Sequence, residues 1–256
     1  MRKIPLTRVL FILLVAGATC NRGNRDGDVV MPTPEEQYRQ AMDLYDAGKF
    51  RESAEAFKNL ALRATVNPYT AEAEYYLGMS YLAYGEKEKA QGAFSAVITM
   101  FPNSPMGPLA YIGLARSYLA QAPAIPRDQE KTADAIATLE EFLRKYPDHE
   151  KAPEAKALLD ECRDRLARKD LIAIDVYENL MKYESELHYA NLFLDDYPES
   201  GLRWQAMLYK ARALYYLNRD QEALDVLGKI ESGDVVPGDV KYDAAKLRLA
   251  IQARQG

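Results

Sequence analysis

Three thirteen-residue stretches decide the fold: AQGAFSAVITMFP at 90–102, AIATLEEFLRKYP at 135–147 and ELHYANLFLDDYP at 186–198. Each closes on an aromatic residue and a proline, Phe101-Pro102, Tyr146-Pro147 and Tyr197-Pro198, and Pro68 closes an earlier copy. Counted back from the proline, Phe94, Leu139 and Ala190 fall eight residues upstream and Val97, Phe142 and Phe193 fall five upstream. Ala90 and Ala135 share the position twelve upstream. Steps of three and four residues put these side chains on one helix face, and a proline cannot continue the helix. One helix is written three times.

Upstream of each copy lies a second helical pattern, clearest in the first unit. Thr33-Pro34-Glu35-Glu36 starts a helix, with Thr33 as N-cap, Pro34 in the first turn and Glu36 completing a capping box. Tyr38, Ala41 and Tyr45 line one helix face and Phe50, Ala54, Phe57 and Leu60 the next, with Gly48-Lys49 breaking the run between them. That is a helical hairpin. The prolines are 34, 45 and 51 residues apart, and 34 is the tetratricopeptide period.

The longer intervals have visible causes. An insertion at 122–129 separates the helices of the third hairpin, and Arg127, Asp128 and Gln129 are expected to lock it in place. From Ala155 to Tyr197 there is neither Gly nor Pro, and the apolar residues keep helical spacing, which predicts one helix from about Pro153 to Lys182, roughly 45 Å long. A last hairpin is expected over Leu202–Tyr216 and Asp220–Ile230, followed after Gly233 and Pro237 by a closing helix through Val240, Ala244, Leu247 and Ile251. The expected class is all-α, a tetratricopeptide-like right-handed solenoid of about five hairpins with a C-terminal capping helix. Residues 34–150 would hold hairpins one to three, and residues 151–256 the connecting helix, hairpins four and five and the cap.

Residues 1–19 read as a secretory signal: Arg2, Lys3 and Arg8, an apolar run from Val9 to Ala16, then small residues and Cys20. The run is about half of the ~20 residues a transmembrane helix needs. Ala16-Gly17-Ala18 fits ordinary signal peptidase, while Gly17-Ala18-Thr19-Cys20 resembles a bacterial lipobox, with Gly17 where Leu is usual and Thr19 where Gly or Ala is usual. On the second reading Cys20 is the lipid attachment site, and its acyl chains would hold the protein to a membrane. Asn21 after the cysteine resembles lipoproteins sorted to the outer membrane. Residues 20–33 read as a flexible tether.

Removing residues 1–19, which hold three cations and no acid, takes the formal charge from −5 to −8. Lys and Arg alternate with Asp and Glu elsewhere, so no basic stripe offers itself to nucleic acid. The two histidines, His149 and His188, are far apart, and HExxH, CxxC, Walker and GxGxxG patterns are absent from the sequence. No enzyme, no metal and no cofactor is expected. Cys162 sits at an apolar helical position and reads as core. The chain has eighteen tyrosines, concentrated on the first helices of the hairpins, and Tyr69, Tyr76 and Tyr111 are candidates for holding an extended peptide through ring contacts and hydroxyl hydrogen bonds.

Asn67-Pro68-Tyr69, Arg127-Asp128-Gln129 and Glu161-Cys162-Arg163 with Leu166-Ala167 together resemble the BamD family, lipoproteins of the outer-membrane β-barrel assembly machine. The resemblance implies an anchor at the periplasmic face of the outer membrane and an N-terminal groove for segments of unfolded outer-membrane proteins. It also implies a C-terminal half that docks on a BamA-like barrel-forming subunit beside other lipoproteins of the machine. The sequence departs from the family at Met181-Lys182, where a turn Gly is usual, and at Tyr189, Asp195 and Asp196, where basic residues are frequent. No interface residue is therefore carried over to that half. An adaptor for cell-envelope or division enzymes is the alternative.

Overall fold

The computed structural model describes residues 32–63 and 68–255, so the signal, Cys20, most of the tether and Asn67 lie outside the described residues. The described residues form eleven helices: α1 Pro34–Asp46, α2 Phe50–Arg63, α3 Thr70–Tyr84, α4 Lys87–Met100, α5 Met106–Gln121, α6 Glu130–Lys145, α7 Ala152–Asn179, α8 Tyr183–Asp196, α9 Arg203–Tyr216, α10 Asp220–Glu231 and α11 Gly238–Gln255. Each packs on the next, giving five hairpins and a closing helix that rests on α9 and α10. The all-α repeat expected from the proline ruler is the fold observed.

Local chemistry explains the punctuation. Thr33 Oγ1 accepts from the Glu36 amide at 3.2 Å, and Glu36 Oε2 accepts from the Thr33 amide at 2.9 Å, so the capping box is formed on both sides. Four of the five hairpins turn on one residue in the left-handed region: Gly48 (φ 71), Gly85 (φ 97), Met181 (φ 54) and Asn218 (φ 58). At each, the next amide reaches back five residues and the turn residue's own amide reaches back three, as in Lys49 N to Leu44 O at 2.9 Å and Lys182 N to Tyr177 O at 2.9 Å. These are Schellman turns, which satisfy the carbonyls left over at a helix end. The third hairpin uses the insertion instead. The long helix stops at Asn179, three residues short of the expected Lys182, because the turn is already under way at Leu180.

Five residues after each left-handed residue comes a fully buried position, filled by Ser53, Ala90, Glu186 and Ala223. Three of the four are small, which lets neighbouring helices close over them, and Glu186 is the exception. One turn further on, α2 and α4 insert Phe57 and Phe94, and a further turn on, α6 and α8 insert Phe142 and Phe193, all essentially without solvent contact. Phe94 lies between two glycines. A Cβ on Gly78 of α3 would stand 2.8 Å from its ring and one on Gly113 of α5 2.5 Å, so both neighbours must be glycine for that ring to fit. Burying such a ring contributes about 1.5–3 kcal/mol.

The helix α7 is 28 residues long, about 42 Å, and serves two hairpins. Its first half, through Ala155, Leu159 and Cys162, closes the core of α5 and α6. Its second half, through Ala167 and Ile174, shares a core with Ala190, Phe193, Ala206 and Tyr209 of α8 and α9.

Candidate functional site

Half-buried tyrosines concentrate at the N-terminal end. Tyr38 and Tyr45 stand one above the other on α1, Tyr69 precedes α3, and Tyr75 and Tyr76 lie in its second turn. Tyr38 stacks on Tyr69 (centroids 5.0 Å apart, planes at 23°), Tyr76 stacks on Phe57 (5.6 Å, 18°), and Tyr45 meets the edge of Tyr76 at 5.4 Å. Neighbouring rings hold one another in offset and edge-on geometries that add to their burial. Burial first, and then the carboxylate of Glu72, raises the phenol of Tyr38 above the ordinary tyrosine value, and burial does the same for Tyr45, Tyr76 and Tyr75, the last to about 12. These hydroxyls therefore stay protonated as donors across the physiological range. The result is a fixed aromatic shelf of half-buried, interlocked rings packed against the core of α1, α2 and α3. Tyr69 and Tyr76 belong to it.

Tyr111 does not. It is 3% exposed within the core of α5, α6 and α7. Its hydroxyl accepts from Lys145 Nζ at 2.6 Å and donates to Glu141 at 3.1 Å, while Lys145 also lies 5.2 Å from the ring centre. The expectation of a groove residue there is corrected: helical spacing identified an inward side chain, and α6 covers it.

Of the three residues expected to lock the insertion, Gln129 does so, with Arg165 of α7. Gln129, 2% exposed, donates to the carbonyls of Pro123 (3.1 Å) and Arg127 (3.0 Å) and accepts from Thr132 (2.8 Å) and from Arg165 Nε of α7 (2.6 Å). Arg165 also donates to the Pro123 carbonyl. An amide can donate and accept at once, so one glutamine satisfies a loop that an arginine or an aspartate would satisfy only in part. Arg127 and Asp128 are exposed, and their side chains hold nothing in place. The role of Arg165 was not apparent in the sequence; its partner lies 36 residues upstream.

At the C-terminal end, Arg212 of α9 bridges Glu178 of α7 at 3.0 Å and Asp243 of α11 at 2.9 Å, and Tyr209 donates to Asp175 at 2.8 Å. Beside them Glu186 occupies the small-residue position of α8. It is fully buried, neither carboxyl oxygen has a hydrogen-bond partner among the described residues, and burial, then Glu178, pushes its carboxyl up to about 8. Sequence inspection missed it, although Glu186 is the residue twelve before Pro198, where the other copies carry Ala90 and Ala135.

The residues weighed for catalysis are placed as follows. His149 Nδ1 accepts from the Lys151 amide at 3.1 Å, so it helps start α7. His188 is exposed and lines an open depression of about 430 Å³ with Glu184, Asn191 and Arg219. The Cys162 thiol is fully buried and raised to about 11 by that burial, far from the thiolate a nucleophile requires. Among the described residues no three of His, Cys, Asp and Glu stand close enough to hold a metal.

Residues 31–226 match the family described as "YfiO: Outer membrane lipoprotein". Four relatives carry the name outer membrane protein assembly factor BamD, among them the following two. That of Rickettsia prowazekii is 25% identical over 220 residues, covering 84% of this chain and 83% of that protein. That of Caulobacter vibrioides is 25% identical over 134 residues, covering 52% of this chain and 44% of that protein. Among solved structures, a tetratricopeptide protein of Thermus thermophilus is 19% identical, covers 85% of this chain and 100% of its own length, and superimposes with a TM-score of 0.39. The last likeness is loose and adds nothing to the helix pairing already described.

Proposed function

The chain belongs to the YfiO family of outer membrane lipoproteins, and from that premise we propose that it is a lipid-anchored scaffold of outer-membrane protein assembly. In this reading Cys20 carries the anchor at the periplasmic face of the outer membrane. The shelf of Tyr38, Tyr45, Tyr69 and Tyr76 holds extended segments of unfolded outer-membrane proteins. The C-terminal half docks on a BamA-like barrel-forming subunit in company with other lipoproteins of the machine. The observation that carries the reading is the family match itself, which runs through four complete hairpins and into the fifth instead of stopping at one repeat. Work of this kind is done by surfaces, and the tyrosine shelf supplies an apolar, hydroxyl-rimmed surface of the right chemistry.

The test is membrane fractionation with cross-linking of wild type and Cys20→Ser. Wild type is expected to be acylated, to sediment with outer membranes and to cross-link to a barrel-forming subunit, while Cys20→Ser is released to the soluble periplasm. A wild-type protein that is soluble and cross-links to peptidoglycan or division enzymes would overturn this reading in favour of the adaptor.

A further inference from the structure

Four helices bring their acids to one guanidinium. Asp175 of α7 is already served, since one oxygen accepts from Tyr209 at 2.8 Å and the other from Asn179 at 3.1 Å. Glu178 of α7 accepts from Arg212 Nη1 at 3.0 Å, and Asp243 of α11 accepts from Arg212 Nη2 at 2.9 Å. Glu186 of α8 is fully buried, and neither of its oxygens has a hydrogen-bond partner among the described residues. The cation that acts on it is Arg212 of α9, opposed by Glu178 and Asp175 of α7. The other titratable neighbours are phenols, Tyr209 on α9 and Tyr183 one turn back on α8. Burial raises both, so they stay protonated and bring no charge.

With its proton on, Glu186 is neutral and Arg212 is left to Glu178 and Asp243. Without it, four carboxylates share one guanidinium, and a buried carboxylate that lacks a donor is not tolerated. The nearest relief is Arg212 itself. Its N–H groups form one flat fork, so turning that fork onto Glu186 withdraws it from a present partner. Glu178 is 24% exposed and Asp243 43%. Water replaces the donor of the more exposed acid at the lower cost, so Asp243 is the partner released.

Asp243 lies in the second turn of α11. The later turns of that helix are tied separately, by Arg248 to Glu231 at 2.7 Å and by Arg254 to the Tyr215 carbonyl at 3.0 Å. We propose that Glu186 is a proton-operated control on the closing helix: protonated, it leaves Arg212 to bridge α7 and α11; ionised, it draws Arg212 inward and frees the first two turns of α11 from α9. The raised carboxyl, pushed up to about 8, sets the direction. Attachment is full below about pH 7 and is lost as the pH rises through the folded value, whereas a carboxyl at its ordinary value would be ionised throughout. Ala90 and Ala223 hold the corresponding positions of the second and fifth hairpins and cannot titrate, so the control belongs to the fourth.

The proposal goes beyond the assembly reading and does not rest on it. It is tested by hydrogen exchange with mass spectrometry on the soluble Cys20→Ser form, read as protection factors corrected for the pH dependence of intrinsic exchange. Protection over residues 240–246 is expected to fall about tenfold between about pH 6 and pH 9, while residues 250–255 and α2 keep theirs. Trp204, the one tryptophan of the chain, lies against Gly233 and Val236 in the loop that leads into α11, and its emission should shift with the same midpoint. Glu186→Gln keeps the shape and cannot ionise, so both steps should vanish and protection stay at its low-pH level. Asp243→Asn, a change outside the core, should show the alkaline level at every pH, and it decides alone should the glutamine variant fail to fold. A wild-type protein without the step, a step that persists in Glu186→Gln, one that extends to α2, or unchanged protection in Asp243→Asn would each overturn the proposal.

Discussion

The second and fourth hairpins share a register and differ at each point where the register makes a demand. The second turns on Gly85 (φ 97), places Ala90 at the buried position five residues on, and sets Phe94 between Gly78 and Gly113. The fourth turns on Met181 (φ 54) and places Glu186 at that buried position. A side chain in the left-handed region costs about 1 kcal/mol, and a buried carboxyl without a partner costs more. These departures gather in one hairpin, and it is the one that shares α7 with the third. Features that weaken a unit in isolation are tolerated where something else completes it.

The comparison breaks most severely if the acid is moved. Ala90→Glu sets a carboxyl between two covered hairpins, against a ring that has no room to shift, and is expected to cost about 3–5 kcal/mol, read from the midpoint of urea unfolding. A loss below about 1 kcal/mol would mean that the approach at α4 is looser than the packing indicates. Glu186→Ala is the reverse exchange. Its folded carboxyl is pushed up to about 8, above the unfolded value, so the unfolded chain gives up the proton first and stability falls as the pH rises from about 4.5 through 8. The variant should remove that slope, differing little from wild type at pH 5 and gaining about 1–2 kcal/mol above pH 8. Equal curves at both pH values would show that the carboxyl finds water or a partner. The smallest effect belongs to the turn: Met181→Gly is expected to add about 0.5–1 kcal/mol by relieving the left-handed strain, whereas Gly85→Ala subtracts about as much. Thermal melting of the pair checks the sign.

Much of the fold could be read before any coordinates because its signals are local. The capping box at Thr33, the Gly48 break and the three aromatic-proline closures depend on residues within one turn of one another. What failed depends on partners far along the chain. Tyr111 has the spacing of an inward side chain, but nothing in that spacing distinguishes a groove from a core that α6 closes with Glu141 and Lys145, some thirty residues on. Gln129 could not be separated from Arg127 and Asp128 without knowing that Arg165 arrives from α7. The end of α7 was placed at Lys182 because a methionine in a left-handed turn carries none of the signal that a glycine would. Glu186 is the opposite case, since its departure from Ala90 and Ala135 is written in the repeat and needed only a comparison across copies.

The length of α7 also governs how the protein comes apart. In a repeat array each unit is stabilised by its own helices and by its contacts with the next, and such arrays fray from the ends when a junction is weak. Here the junction between the third and fourth hairpins is an unbroken helix, with Cys162 in one core and Ile174 in the other. Neither side can lose α7 without unwinding a helix that the other still uses. The fourth hairpin is thus tied to the third through continuous backbone, and the two halves are expected to unfold together as a single cooperative unit.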